Sequence, residues 1–184
     1  MATAEGVLSP PDATATDGLI GDGLAPFNPS GELVIDAALQ LLSLTEKDLL
    51  FDLGCGDGRL LVQAALRTRS RGVGIEYDRK FADRAAAQVE GQGVQDLVTI
   101  QHGNALEADL SNATAAFVYL VPKGMAQLRG KLEGLLQRGG RVVTYIFSVP
   151  AMTPVQTVVV KGTRVMLYTA ASLDQDAEEA PQCN

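Results

Sequence analysis

The chain contains few of the residues that bind metal ions or form disulfide bonds. Its 184 residues include two cysteines, Cys55 and Cys183, and one histidine, His102. Two cysteines do not make a disulfide framework, and these three side chains fall short of the four Cys or His ligands of a structural zinc site. We therefore expect no metal centre and a fold that is stable without disulfide bonds.

The sequence also lacks recognisable targeting and membrane segments. Residues 1–24 contain no Lys or Arg and no sustained apolar core. A secretory signal needs a basic start followed by an apolar stretch, and a mitochondrial presequence is rich in arginine. No apolar run approaches the ~18 residues of a transmembrane helix. The sequence thus predicts a cytoplasmic protein without a membrane segment.

Acidic residues outnumber basic residues in this chain. Its 22 Asp and Glu residues against 15 Lys and Arg residues give a formal net charge of −7. Because an acidic surface repels a phosphate backbone, we expect no nucleic-acid partner. The same charge favours a basic protein or peptide as the partner.

The composition is that of a single globular domain. Hydrophobic residues make up 46% and charged residues 20% of the chain, as in ordinary globular domains, and the length suffices for one hydrophobic core. We expect the folded domain at residues 25–172, and we expect it to be monomeric. The segments 1–24, without a periodic pattern, and 173–184, rich in acids, are predicted to be disordered tails.

The most informative stretch is a glycine-rich turn between a predicted strand and a predicted helix. The short apolar run from Leu49 to Leu53 is typical of a strand in a parallel sheet. Gly54, Gly56 and Gly58 follow it, and a helix starts at Arg59. That helix points the positive end of its dipole back at the turn. The turn therefore suits a ligand with a carboxylate or another anionic group.

The spacing of the glycines discriminates between ligands. A dinucleotide-binding turn reads G-x-G-x-x-G, but Arg59 stands where the third glycine would be. Here the glycines alternate, and Asp52 lies two residues before the first of them. A second short strand ends in Glu76, where an acid can bind ribose hydroxyls. A tight turn without a ligand remains the alternative interpretation.

Strands and helices alternate along the rest of the chain. The predicted strands are 49–53, 72–76, 98–101, 115–120, 141–147, 155–160 and 165–169, and the last two form a hairpin through residues 161–163. This order predicts an α/β fold: a Rossmann-like, mostly parallel seven-stranded sheet with helices on both faces and a C-terminal antiparallel strand. The ligand site is expected beyond the carboxyl ends of the strands.

The run Asp-Leu-Gly-Cys-Gly-Asp-Gly at residues 52–58 resembles the first motif of class I methyltransferases that use S-adenosylmethionine (SAM). Three stretches resemble one subfamily more closely: the segment from Pro26 through the glycine turn, residues 72–77, and residues 118–122. That subfamily comprises the small protein-lysine methyltransferases of the ATP-synthase c-subunit and adenine-nucleotide-translocase type, with their bacterial relatives. Its animal members carry a membrane-targeting N-terminal segment that this sequence lacks, so we do not expect their mitochondrial substrates.

The resemblance implies a set of site residues. Asp52 is expected near the amino group of SAM, and Asn104, in place of the commoner acid, near the adenine amino group. The expected cofactor-binding residues are Asp52, Leu53, Gly54, Cys55, Gly56, Gly58, Glu76, Tyr77, Asn104, Ala105, Leu106 and Tyr119. The expected substrate pocket consists of Phe27, Asn28, Tyr119 and Pro122. No residue is a compelling general base.

The resemblance also implies an activity. We expect SAM-dependent transfer of a methyl group to a protein lysine amine by in-line displacement, in which the protein mainly aligns the reacting atoms. Two alternatives are methyl transfer to a small molecule or another acceptor, and a SAM- or nucleotide-binding module without turnover.

Overall fold

The computed structural model describes residues 19–20, 25–26 and 31–173 of the chain. The predicted tails, residues 1–24 and 173–184, therefore lie almost entirely outside the described residues. Segments 19–20 and 25–26 pair as a two-residue antiparallel ladder. Among the described helices, none is long and apolar enough to cross a membrane.

A seven-stranded sheet forms the centre of the fold. Its strands in chain order are β1 (Leu49–Leu53), β2 (Arg71–Glu76), β3 (Val98–His102), β4 (Ala115–Val118), β5 (Arg141–Tyr145), β6 (Gln156–Val160) and β7 (Thr163–Tyr168). They lie side by side in the order β3-β2-β1-β4-β5-β7-β6. All pairs from β3 to β5 are parallel, whereas β7 runs antiparallel to β5 and β6. The predicted sheet is confirmed.

Helices cover both faces of this sheet, as the sequence predicts. In the described residues they are α1 (Glu32–Leu42), α2 (Arg59–Thr68), α3 (Arg79–Gly91) and α4 (Pro122–Gln137), with single 3₁₀ turns at Ala105–Glu107 and Ala170–Ser172. The apolar side chains of α1, α2 and α3 join one buried cluster, and those of α4 join another. The α1–α3 face and the α4 face are thus separate halves of the core.

Two strands end two residues before their predicted ends. Strand β4 ends at Val118 instead of Leu120, and α4 starts soon after it at Pro122. Proline suits the first helical position, where its missing N–H is not needed. Strand β5 ends at Tyr145 instead of Phe147. Ile146 takes a φ of +64°, and the Phe147 N–H donates to the Tyr145 carbonyl at 2.8 Å. This tight turn ends the strand.

The predicted hairpin is present, with a shorter turn. Lys161 and Gly162 connect β6 to β7 with φ values of +48° and +79°, the backbone signs of the type I′ turn that favours hairpins. Thr163 is already part of β7 and pairs with Val160. Because β6 runs in the same direction as β5, this turn lies at the edge of the sheet where the parallel strands end.

A buried carboxylate joins three strands at the opposite edge of the sheet. Asp48, just before β1, accepts hydrogen bonds from the backbone and side chain of Thr45 at 2.8 and 3.0 Å and from Thr114 at 2.8 Å. It also pairs with the Arg141 guanidinium at the start of β5. Burial by itself raises the pKa of Asp48, but these hydrogen bonds and the nearby charge hold its pKa below the ordinary value.

We expect Asp48→Ala to lower the free energy of unfolding by about 3 kcal/mol, because Arg141 and Thr114 lose a partly buried partner. The depressed pKa means that this stabilisation is present above about pH 4 and is lost as the pH falls further. Denaturant titrations at pH 7 and pH 3 measure both effects. Asp36→Ala is the control, since Asp36 and Arg67 form an exposed pair worth less than about 1 kcal/mol. Equal losses in the two variants would contradict the prediction.

Candidate active site

The predicted site residues lie where the chain connections reverse direction in the sheet. Strand β1 is central, with β2 on one side and β4 on the other. The chain moves outward from β1 to β2 and β3, then returns to β4 and continues the other way. Such a switch point leaves a crevice at the carboxyl ends of β1 and β4, the usual ligand site of an open α/β sheet.

The glycine-rich turn after β1 needs its glycines. Gly54, Gly56 and Gly58 have φ values of +89°, +56° and +77°, a region that side chains with a Cβ rarely adopt. The N–H groups of Gly54 and Cys55 both donate to the Ile75 carbonyl, at 2.9 and 3.1 Å. The turn is therefore held against the end of β2, and the N-terminus of α2 opens onto it.

Glu76 ties the turn to the start of α3. Its side chain is buried at 5% exposure. One carboxylate oxygen accepts the Gly56 N–H at 2.8 Å, and the other accepts the Asp78 N–H at 2.9 Å. Each oxygen has a further lone pair. Glu76 can thus hold the turn and still accept ribose hydroxyls.

Asp52 is a buried acid without a hydrogen-bonding partner among residues 31–173. It lies near the end of β1 at 3% exposure, in register with Gly74 and Phe117 on the neighbouring strands. Burial, with added repulsion from Glu76 and Asp57, raises the pKa of Asp52 to about 8. An uncompensated carboxyl at this depth suits a cationic ligand group. The ammonium group of SAM fits this requirement.

Arg59, where a dinucleotide fold would have glycine, has a local partner. Its Nε donates to Asp57 Oδ1 at 2.9 Å, and a second guanidinium nitrogen pairs with the other carboxylate oxygen. The hydrogen bonds from Arg59 hold the pKa of Asp57 below its ordinary value despite partial burial. Two neighbouring acids at the turn therefore differ in state: Asp57 is charge-compensated, and Asp52 is not.

Cys55 belongs to the packing of the turn. The thiol is buried at 7% exposure, and burial, reinforced by the charge of Asp52, raises its pKa. A Cβ at Gly74 would lie 2.6 Å from Cys55 Sγ, 2.8 Å from Leu61 and 2.9 Å from Ile100. A glycine in β2 is thus required for the turn to pack against the strand, and the thiol is not a reactive one.

We expect Gly74→Ala to destabilise the protein by about 2–3 kcal/mol, because three side chains must move to admit the methyl group. The displaced Cys55 would also weaken SAM binding. Gly130→Ala in α4 is the matched control: a Cβ there meets nothing within 4 Å, so helix propensity should raise stability by about 0.5–1 kcal/mol. Denaturant unfolding and SAM calorimetry on both variants check this pair. An unchanged Gly74→Ala protein would contradict the packing argument.

The predicted adenine side of the site is more open. Tyr77 is 49% exposed, and its carbonyl lies 3.0 Å from His102 Nε2. The Asn104 side-chain oxygen accepts the Leu106 N–H at 3.0 Å and caps the 3₁₀ turn that contains Ala105. Asn104 Oδ1 is the atom expected to accept a hydrogen bond from the adenine amino group. The bond from Leu106 uses one of its lone pairs and leaves the other for a ligand.

The predicted acceptor side lies beyond β4. Tyr119 follows that strand and is buried at 8% exposure, whereas Pro122 is exposed at the start of α4. Phe27 and Asn28 lie outside the described residues. Leu53, predicted to bind the cofactor, is fully buried in the cluster on the α4 face.

The sequence analysis did not single out Tyr145, which lies beside Tyr119, or Thr163, which contacts Tyr145. Tyr145, at the end of β5, lies with its ring centroid 4.8 Å from that of Tyr119, and its hydroxyl contacts Thr163. Their positions could have indicated them, because Tyr145 ends β5 and Thr163 begins β7 at the edge of the sheet where ligands bind. This signal was hidden because the strand was predicted to continue to Phe147.

Residues 52–156 match the model of the ANTKMT methyltransferase domain family. The chain belongs to this family. A protein-lysine N-methyltransferase from Saccharolobus islandicus (strain REY15A) is 33% identical over 137 residues, which cover 74% of this chain and 85% of that protein. The lysine N-methyltransferase of the ATP-synthase c-subunit from Rattus norvegicus is 26% identical over 72% of this chain, but the match spans only 60% of the rat protein.

Solved structures point to the same cofactor. The crystal structure of an RNA methyltransferase from Salinibacter ruber in complex with S-adenosyl-L-homocysteine superposes with a TM-score of 0.74 at 36% identity, covering 85% of this chain and 98% of that one. A SAM-dependent methyltransferase from Geobacter sulfurreducens, also bound to S-adenosyl-L-homocysteine, gives 0.55 at 28% identity over 64% of this chain and 49% of that one. The chain is a SAM-dependent methyltransferase, and the predicted methyltransferase activity and SAM cofactor are confirmed.

Proposed function

We propose that this enzyme methylates the side-chain amine of lysine in a protein substrate. The observation that carries the proposal is the Saccharolobus islandicus relative, which is named for this activity and is matched over 85% of its length. The acidic net charge of −7 supports a basic protein segment as the acceptor, because it favours encounter with positive charge.

Methyl transfer from SAM to an amine mainly requires that the two reactants be aligned in the site. SAM supplies a methyl group on a positively charged sulfur that is already a good leaving group. The neutral lysine amine donates its lone pair to the methyl carbon, the carbon–sulfur bond breaks, and its electron pair remains on sulfur. The methylated ammonium then releases its extra proton to water. In-line geometry at short distance provides most of the acceleration, so a strong protein base is not needed.

Different residues of the chain would bind the cofactor and the acceptor, on opposite sides of the crevice. Glu76, at the end of β2, and Asp52, near the end of β1, are placed to hold the ribose and the ammonium group of the cofactor. Tyr119, after β4, lies on the acceptor side. Partial burial there favours the neutral form of an entering amine, because desolvation lowers its pKa.

RNA is the second candidate acceptor. The Salinibacter ruber protein, 36% identical to this chain, is described as an RNA methyltransferase. The charge of the chain argues against RNA, because its 22 acidic residues outnumber its 15 basic residues and an acidic protein is repelled by a phosphate backbone. We favour protein lysine on this ground.

Labelling of an extract separates the two acceptors. Purified enzyme and methyl-tritiated SAM are added to a cell extract, which is then divided between protease and ribonuclease digestion. We expect the label to survive ribonuclease, to be lost with protease, and to appear as methyl-lysine after hydrolysis. Glu76→Ala enzyme serves as the background control. Label in the RNA fraction, or in a protein residue other than lysine, would overturn the proposal.

A monomeric enzyme acting in the cytoplasm is part of the same proposal. Light scattering during size-exclusion chromatography tests the first point and cell fractionation the second. A dimer at micromolar concentration, or recovery with membranes, would contradict it.

A further inference from the structure

A pair of tyrosines follows β4 and ends β5, on the proposed acceptor side of the crevice. The rings of Tyr119 and Tyr145 are 4.8 Å apart between centroids and inclined by 60°. Both are about 8% exposed. Burial, with a smaller effect of Tyr145, raises the pKa of Tyr119 to about 12, so its hydroxyl keeps its proton at neutral pH. Within residues 31–173, no group forms a hydrogen bond with that hydroxyl.

The pair lies on the same face of the sheet as Asp52. Side chains alternate between faces along a strand, and Asp52 pairs in register with Phe117, two residues before Tyr119. Both tyrosines belong to the buried cluster on the α1–α3 face. Asp52 is therefore level with Phe117 and Val143 across β1, β4 and β5. The two tyrosines lie two residues further along, toward the edge where these strands end. A cofactor bound at Asp52 and Glu76 would have the tyrosines on the β4 side.

Tyr145 is held more firmly than packing alone would hold it. The Ile146 N–H donates to the Arg164 carbonyl at 2.8 Å, and the Phe147 N–H donates back to Tyr145 at 2.8 Å. Ile146 is thus the centre of a three-residue turn with a φ of +64°, which is unusual for a β-branched residue. Such strain persists where the surroundings impose it and is concentrated at functional sites.

The hydroxyl of Tyr145 is also oriented. Thr163 Oγ1 lies 2.7 Å from the Val160 carbonyl and 3.2 Å from the Tyr145 hydroxyl. The carbonyl can only accept, so the single proton of Thr163 goes to Val160. Tyr145 must then donate its own proton to Thr163, which leaves its oxygen lone pairs available to accept.

We propose that Tyr119 and Tyr145 bind the acceptor amine, with their hydroxyl oxygens accepting its N–H groups, and that Thr163 is a positioning residue for Tyr145. This inference rests on the proposed amine acceptor. Two N–H groups held in this way would leave the nitrogen lone pair free for the methyl carbon. The aromatic rings beside the amine would also favour its methylated, cationic product.

Sinefungin provides a test that needs no identified acceptor. This SAM analogue carries an amine on carbon in place of the methylated sulfonium, so its amine reports on groups that surround the transfer site. We expect calorimetry to show that Tyr145→Phe and Tyr119→Phe each lower the affinity for sinefungin about tenfold relative to S-adenosylhomocysteine. Affinity for S-adenosylhomocysteine itself should stay within about twofold. Thr163→Val should produce a smaller loss in the same direction.

Tyr168→Phe is the matched control. Tyr168 is fully buried in the cluster on the opposite face, where its hydroxyl accepts the Val149 N–H at 3.2 Å. Its loss should lower stability and leave the ratio of the two affinities unchanged. An unchanged ratio in both Tyr119→Phe and Tyr145→Phe overturns the inference. The affinity for sinefungin relative to S-adenosylhomocysteine could also fall in these variants while extracts yield no methyl-lysine. That result would support the amine-binding site and contradict lysine as the acceptor of the proposed function.

Discussion

Glu76→Ala is expected to weaken SAM binding by about 100-fold or more. The substitution removes the carboxylate that accepts the N–H groups of Gly56 and Asp78 at 2.8 and 2.9 Å, and it removes the acceptor proposed for the ribose hydroxyls. Hydrogen bonds to a charged group are worth about 1.5–3 kcal/mol each, and 1.4 kcal/mol corresponds to a tenfold change in affinity. Calorimetric titration of SAM and S-adenosylhomocysteine measures the loss.

Two further variants separate ligand binding from turn structure. Glu76→Gln keeps the shape and one accepting oxygen, so we expect an intermediate loss of about tenfold. Glu90→Ala, at an exposed position in α3, should leave the affinity unchanged. If Glu76→Ala bound SAM as tightly as the wild-type protein, Glu76 would have no role in the cofactor site.

Asp52→Asn is expected to change stability and SAM affinity in opposite directions. The folded protein raises the pKa of Asp52 to about 8, whereas the unfolded chain ionises it near pH 4. The wild-type protein therefore loses stability as the pH rises between about 4 and 8. Asparagine resembles the neutral acid, so the variant should be more stable by roughly 2–4 kcal/mol at pH 7. That gain should vanish below about pH 4.

Binding should show the reverse effect. The ammonium group of SAM requires the ionised form of Asp52, so the wild-type protein should release about one proton on binding at pH 7. Calorimetry in phosphate and in Tris reveals that proton, because the two buffers differ in ionisation enthalpy. Asp52→Asn should abolish the buffer dependence and weaken SAM binding about 10- to 100-fold. Buffer-independent enthalpies in the wild-type protein would contradict the assignment of Asp52 to the ammonium.

Local patterns along the chain predict much of this fold for a physical reason. Strand β1 has its predicted ends, Leu49 and Leu53, because a central parallel strand is buried on both faces and reads as an apolar run between turn residues. The turn at Gly54, Gly56 and Gly58 can be predicted from the sequence, because positions with a positive φ favour glycine. Asp78 accepts the Lys80 N–H as the cap of α3, as such a residue before a helix predicts.

Errors occurred where a distant contact determined the local structure. The end of β5 could not be read from its sequence, because residues 141–147 are consistent with one continuous strand. The bond from Ile146 to the carbonyl of Arg164 in β7 ends the strand at Tyr145. The pairing of Tyr145 with Tyr119 and Thr163 was hidden for the same reason, since it joins three strands far apart in the chain.

The sequence by itself determined the class of ligand, because the glycine turn and the acids before and after it are short-range features whose chemistry does not depend on the rest of the chain. Only the tertiary structure decided the state of those groups. Asp52 and Asp57 are both acids beside the same turn, but burial leaves one uncompensated and Arg59 neutralises the other. The burial of a side chain and the alignment of neighbouring strands are set only when the sheet packs. In this fold they leave the Asp52 carboxyl unpaired on one side of the crevice and bring Tyr119 and Tyr145 together on the other.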